Sequence, residues 1–436
     1  METKRSLQFE ELALRIQRGG DGRCVVQVTH SPYGSKASHF SLSDSIERLP
    51  GLIRATESTL RTAGVKRQIN LSSEDLPPAL TPEAVGDKLF RGLFSDSVLE
   101  TLLLSLGRVE AEPDKGLRIR LTFDPSLPGL TEISALPWEL LYRAETRDFL
   151  GRNPLTPLVR YLEVPRLSTP APLTSSLSIL AVVSSPSDEP ALDLKKECQR
   201  LEDVLGQQAN IKIQFLENPT LLSLRTKLMS TPFHVFHFMG HGGFDERTGE
   251  GALLFVNPQG KSMPVSGRVL AEVFKDSRSL RLAFLNACDT AQLPRHRGQD
   301  PFSGVASALV MAGLPAVIAM QFPISDQAAQ VFSQHFYTAL VTGFPVDAAA
   351  AEARLAIHLT DPGSWEWATP ALFMSVPDGR IILPAAEIEE SPTAREPHPA
   401  GPIQANTTGA SGGITIGGVG NAISGGVHLN QTGKKG

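Results

Sequence analysis

Three cysteines in 436 residues, at positions 24, 198 and 288, are too few and too scattered for a disulfide framework. They form no CxxC pair, so the usual cysteine ligand set for zinc is absent. A basic excess is also missing: 41 Lys and Arg stand against 46 Asp and Glu, for a formal net charge of -5. Phosphate-binding surfaces need the opposite balance, so nucleic acid is not the expected partner. The longest apolar run, GVASALVMAGLPAVIAM, is broken by Gly313 and Pro315. It reads as a buried helix followed by a buried strand, so no membrane contact is expected. The opening residues, METKRSLQFEELALR, are charged and amphipathic and contain no apolar signal core. No repeat with a period of roughly 20–50 residues is visible, which excludes a helical-repeat array. These absences point to the reducing cytoplasm, where a single thiol such as Cys288 stays reactive, and they imply no cofactor.

What is present is an alternation of strand and helix patterns from 172 to 384. LSILAVV (177–183) is an apolar run of strand length. LDLKKECQRLEDVLG (192–206) places Leu194, Cys198, Leu201 and Leu205 on one helix face and ends at Gly206. IKIQFL, FHVFHFM, ALLFV, LRLAFL, PAVIAM and ALFMSV read as further strands. TLLSLRTKLM, SGRVLAEVF, FSGVASALVMAG and two segments near 326–342 and 346–359 read as helices. Buried strands separated by helices imply βαβ units in a mostly parallel sheet, whose reactive groups collect at the carboxyl ends of the strands.

Residues 1–166 are less regular. RCVVQVTH and GLRIRLTFD read as strands and PEAVGDKLFRGLFSDSVLETLLLSL as one or two helices, so an N-terminal α/β lobe is expected there. LSTPAPLTSS (167–176) reads as a linker. Residues 385–436 are rich first in Pro, Ala, Glu and Thr and then in Gly, a composition that predicts a disordered tail. The expected fold class is α/β: a mostly parallel sheet flanked by helices, an N-terminal α/β lobe and a Gly-rich tail.

His234, His237 and His241 fall within eight residues. On a helix they would share a face and suggest a metal site. Pro232, the aromatic and β-branched run and Gly240, Gly242 and Gly243 argue for a strand instead, where His234 and His237 point to opposite faces. The expectation is no metal. The strand reading puts His241 just past a strand end, in a glycine loop, and LRLAFLNAC delivers Cys288 to the end of another strand. The two residues are 47 positions apart (288 − 241), which suits one crossover connection between neighbouring parallel strands. A thiolate beside an imidazole is what nucleophilic catalysis requires. The N–H groups of Gly242 and Cys288 are the expected oxyanion hole. Taken singly, a cysteine at a buried strand end is ordinarily a small hydrophobe and a histidine among glycines a loop residue.

FHVFHFMGHGGFD followed by LAFLNACDTA resembles the CHAT group of caspase-like cysteine peptidases, relatives of caspases, separase and gingipains. AVIAMQFPISDQAAQVFSQHFYTALVTGFPVDAAAAEAR and WATPALFMSV extend the resemblance over 172–384, and LPWELLYRAETRDFL and PLVRYL resemble the half that often precedes such domains. The resemblance implies a caspase-like fold with His241 as general base and Cys288 as nucleophile. It also implies a protein substrate, a regulatory partner, and a role in prokaryotic stress, defence or cell-death signalling. In such relatives the residue two before the nucleophile lines the substrate pocket. Here that residue is Asn286, which is neutral and argues against a strict preference for basic residues, though Asp289 or Asp326 would supply charge from elsewhere. QFPIS, with Gln321 and Phe322, resembles the segment that pairs with substrate backbone. DTAQLPRHRGQDP (289–301) reads either as an activation loop or as an ordinary surface loop, and Arg295 and Arg297 as candidate self-processing positions. ITIGGVGN, near the C-terminus, faintly resembles amyloid-like signalling motifs, which would make activity depend on assembly through the tail. The alternative is a catalytically silent scaffold acting through that tail.

Overall fold

A computed structural model describes residues 7–383 apart from 19–23, 41–80, 124–132, 165–170, 173–175, 207, 246–247, 249, 290–300 and 323. Residues 290–300, the body of the segment read as an activation loop or an ordinary surface loop, with Arg295 and Arg297, and the expected tail therefore lie outside the described residues.

The chain opens on strand β1 (Gln8–Arg18). Leu12, Leu14 and Ile16 are fully buried on one face, while Glu11 and Arg15 on the other pair with Arg120 and Glu163, and Glu10, nearer the strand start, pairs with Arg108. This is the period-two pattern of a half-buried strand. Sequence analysis assigns no element there because the charges mask the alternation. β2 (Cys24–His30) and β3 (Ala37–Phe40) extend it antiparallel. Helix α1 (Pro82–Leu93) starts at Thr81, whose hydroxyl accepts the Ala84 N–H, and has Pro82 at its first turn. Helix α2 (Asp96–Glu110), β4 (Lys115–Phe123), a 3-10 turn (Trp138–Leu140), a small hairpin (142–149) and β5 (Leu158–Tyr161) complete the upstream half.

The downstream half keeps to the expected alternation. β6 (Leu177–Val183), α3 (Leu194–Leu205), β7 (Ile211–Glu217), α4 (Leu221–Ser230) and β8 (Val235–Phe244) come first. β9 (Gly251–Val256) and β10 (Ser262–Ser266) form an antiparallel excursion, of which sequence analysis finds only the first strand. Then follow α5 (Gly267–Phe274), β11 (Leu282–Asp289), α6 (Pro301–Met311), β12 (Ala316–Met320), α7 (Asp326–Val341), α8 (Val346–Thr360) and β13 (Pro370–Met374).

The described residues build one 13-stranded sheet in the order β7-β6-β8-β11-β12-β13-β5-β4-β1-β2-β3, with β9 attached to β8 and β10 to β9. It is mixed but mostly parallel. The upstream strands and those of 172–384 belong to the same sheet, joined where β13 lies antiparallel to β12 and parallel to β5. No helix among the described residues is long and apolar enough to cross a membrane.

Alternation along the strands sorts the core into two layers. From β8 and β11, Val235, Met239, Leu282 and Phe284 face the layer holding Phe332, Phe336 and Tyr337 of α7. Phe236, Phe238, Ala283 and Leu285 face the layer holding Leu270 and Phe274 of α5. Each fully buried large apolar side chain contributes roughly 1.5–3 kcal/mol, against about 1 kcal/mol for a ladder hydrogen bond. Packing therefore sets the register. A one-residue slip would turn Phe236 and Phe238 into the wrong layer.

Candidate active site

That register positions the site. β8 and β11 are adjacent and parallel, with Val235 opposite Leu282 and, six residues on, His241 opposite Cys288. Neighbouring strands lie about 4.8 Å apart, so the two backbone positions meet at one rim, toward the carboxyl ends of their strands. His241 lies within β8 and not in a glycine loop past its end, because β9 pairs with Gly242, Gly243 and Phe244 and carries the strand on. Gly242 and Asp289 are the next pair, and Gly242 also faces Leu253 of β9. The glycine before the histidine has a steric reason: a Cβ at Gly240 would fall 2.7 Å from the Phe238 ring and 3.0 Å from the Ser184 carbonyl oxygen.

The His241 side chain is fully buried, and its Nε2 lies 2.8 Å from the Pro190 carbonyl oxygen. A carbonyl only accepts, so Nε2 carries a hydrogen and, in the neutral ring, Nδ1 holds the lone pair. Pro190 lies in the loop between β6 and α3. Ser187 N–H donates to the Gly260 carbonyl (2.9 Å), Leu192 N–H to Ser185 Oγ (3.0 Å), and the Asp188 carboxylate accepts from both N (2.6 Å) and Oγ (3.0 Å) of Ser262. The imidazole is thus oriented by a tethered main-chain carbonyl. Sequence reasoning misses this group because any residue supplies a carbonyl.

Beside the rim, on the α3 and α7 side of the sheet, lies a cleft of about 620 Å³ with its open mouth included. Met239, Gly240 and Asn286 line it from the strands, Glu197 and Arg200 from α3, and Ile324 and Asp326 from the start of α7 and the residues before it. Arg200 reaches across to Asp326 (2.7 Å) and also pairs with Glu197 (3.0 Å). Of the residues expected at the pocket, Asn286 and Asp326 are brought together there. Asp289 ends β11 one position beyond Cys288. Gln321 and Phe322 are placed elsewhere. Gln321 is buried against Glu139 and Arg160, and Phe322 packs in the core. Glu197 and Arg200 carry no sequence signal of their own, since on an amphipathic helix they look like a solvated face.

The three histidines have three different partners. His234 Nδ1 accepts the Ser178 N–H (3.0 Å), while His237 Nδ1 is hydrogen-bonded to the Tyr337 hydroxyl (2.9 Å). The His237 ring also stacks on Phe284, with centroids 4.4 Å apart. Burial alone pushes the His237 pKa down to about 3 and the Tyr337 phenol upward. In the unfolded chain a histidine titrates near 6.5. Below that pH the unfolded state takes up a proton that the folded state refuses. The His237 contribution is therefore complete above about pH 6.5 and is lost as pH falls towards about 3, at up to about 1.4 kcal/mol per pH unit. Urea unfolding midpoints should fall between pH 7 and pH 5, and His237→Phe should fall less. Equal pH slopes for the two proteins would contradict this assignment.

Two solved structures of the Saccharomyces cerevisiae separase–securin complex, at 2.6 and 3.0 Å resolution, are similar to this chain at 13% sequence identity with TM-scores of 0.46 and 0.47. The matches cover 85% and 84% of this chain but only 30% of the other, so this chain spans under a third of the length of those it resembles. No curated protein matches it. The CHAT domain family model matches residues 83–378, from α1 through β13, and so takes in both the strands that carry His241 and Cys288 and most of the upstream half. The chain belongs to the CHAT domain family.

Proposed function

We propose that the chain is a cysteine endopeptidase of caspase-like type, acting on a protein substrate. The observation that carries the reading is the parallel register placing His241 opposite Cys288 at the carboxyl rim of the sheet. His241 takes the Cys288 thiol proton, and the thiolate adds to the scissile carbonyl carbon. The N–H groups of Gly242 and Cys288 stabilise the resulting oxyanion. Collapse of that intermediate breaks the C–N bond, the amine leaves with the proton from the imidazolium, and the acyl group stays as a thioester. His241 then takes a proton from water, which attacks the thioester and releases acid and thiol. The Pro190 carbonyl supports this cycle because it holds the ring and accepts from the imidazolium as well as from the neutral form.

The cleft beside the pair is suited to the substrate side chain that precedes the cleaved bond. Asn286 is neutral and the Asp326 carboxylate is already engaged by Arg200, which supports acceptance of more than basic residues. A regulatory partner, or assembly through the tail, in a prokaryotic defence or cell-death setting is the role the family resemblance supports. The test is a library of tetrapeptidyl aminocoumarin amides offered to the wild-type chain and to Cys288→Ala. The reading expects cleavage by the wild type alone, spread over more than one class of residue. Equal release of aminocoumarin by both proteins, or by neither, would remove it.

A further inference from the structure

The cleft wall that follows β12 is held by two buried carboxylates, neither of which lies on the strands carrying the pair. Glu139 belongs to the 3-10 turn of the upstream half and is 1% exposed. Its Oε2 accepts from Arg160 Nη2 (2.7 Å) and from Gln321 Nε2 (2.7 Å). Gln321 Nε2 also donates to the Ala368 carbonyl (2.8 Å), its Oε1 accepts from Arg160 Nη2 (2.8 Å), and its main-chain N–H donates to the Thr369 carbonyl (3.0 Å). The amide thus uses both of its donor hydrogens and its oxygen. It fits one way round only, since a flipped amide would set N–H against a guanidinium and oxygen against a carboxylate. Four residues on, Ser325 donates its N–H and its hydroxyl to Glu366 and caps α7 by accepting the Ala328 N–H. Ile324 and Asp326, which line the cleft, lie within or immediately after this pinned stretch.

Buried ionic networks are often no more stabilising than apolar residues of the same volume, and their distinctive contribution is a single geometry. An apolar side chain at 321 would fill the space without fixing the direction in which the chain leaves β12.

We propose that Glu139 is a positioning residue for the cleft: through Gln321 it fixes the wall formed by Ile324 and Asp326, which makes the upstream half part of the site. The substrate arm of the test rests on the cysteine-peptidase reading, whereas its hydrogen-exchange arm does not.

The test uses the full chain with two single variants, Gln321→Met and Glu139→Gln. In the single variants the main-chain amides of 321 and 325 should exchange with deuterium about tenfold faster, with those of 235–242 and 282–288 unchanged. With the best-cleaved library peptide, KM should rise about tenfold while kcat stays within about threefold, and iodoacetamide should alkylate Cys288 at the wild-type rate. Exchange rising evenly over the whole sheet, or a kcat that falls as far as kcat/KM with KM unchanged, would show a merely structural role and overturn the proposal. If the wild type cleaves no peptide, the peptidase reading fails, and the exchange pattern still decides for or against the positioning role. Gln321→Met introduces no charge and keeps the test available if Glu139→Gln impairs folding.

Discussion

Replacing Cys288 with alanine should lower peptide turnover by roughly 10⁶-fold while leaving the thermal midpoint within a few degrees of the wild type. The size follows from what is lost. In the proposed mechanism no acyl-enzyme forms without the thiolate, and His241 and the main-chain donors can assist only a direct attack by water. Small residual turnover is the most they can support. Cys198 is not equipped to stand in. Burial, followed by the charges of Glu217, Glu197 and Glu202, pushes the Cys198 thiol up to about 11. At pH 7 that leaves about one thiolate in ten thousand. Cys198 also packs from α3 against the hydrophobic core. Turnover that survives Cys288→Ala would mean that the reacting group lies elsewhere.

The largest effect on stability is expected at Asp347, in the first turn of α8. Its side chain is fully buried and pairs through both oxygens with Arg118 of β4, which is itself almost inaccessible. Arg118 also donates to the carbonyls of Asp378 (2.8 Å) and Pro377 (3.4 Å) and stacks over Phe9 at 4.8 Å. Burial opposes the Arg118 charge, but the Asp347 carboxylate outweighs it and holds the guanidinium pKa above its ordinary value. Gly379 makes room for this pair, since a Cβ there would lie 2.4 Å from Asp347 Oδ1 and its φ of +69° suits glycine. Asp347→Ala would leave a buried guanidinium with carbonyl partners only. The expected loss is about 3–5 kcal/mol of unfolding free energy, measured by guanidinium denaturation, and less for Asp347→Asn. A change under about 1 kcal/mol would show that the ion pair does not couple β4 to α8.

Much of this site was legible from residue patterns because the downstream half obeys simple periodicities. Its apolar runs are strands buried on both faces, its amphipathic stretches are helices, and His241 and Cys288 each come shortly after such a run. β1 was hidden because Glu10, Glu11 and Arg15 look like surface charges until their partners on α2, β4 and the segment after β5 are known. The edge-to-edge union of the upstream and downstream strands rests on pairings between segments more than 200 residues apart, such as Phe373 with Arg160, and no local pattern announces these. Gln321 and Phe322 enter the expected pocket through the resemblance carried by QFPIS. Their side chains are turned into the interior, and it is the residues beyond them that reach the cleft. The Pro190 carbonyl has no signature at all.

The central claim is that this fold makes one thiol reactive through one imidazole. An electrophilic tetrapeptide probe at pH 7.5, followed by peptide mass mapping, measures this most directly. The account predicts that the probe adds to Cys288, spares Cys198, and adds far more slowly in His241→Ala. Labelling of Cys198 as fast as Cys288, or a Cys288 rate indifferent to His241, would contradict it.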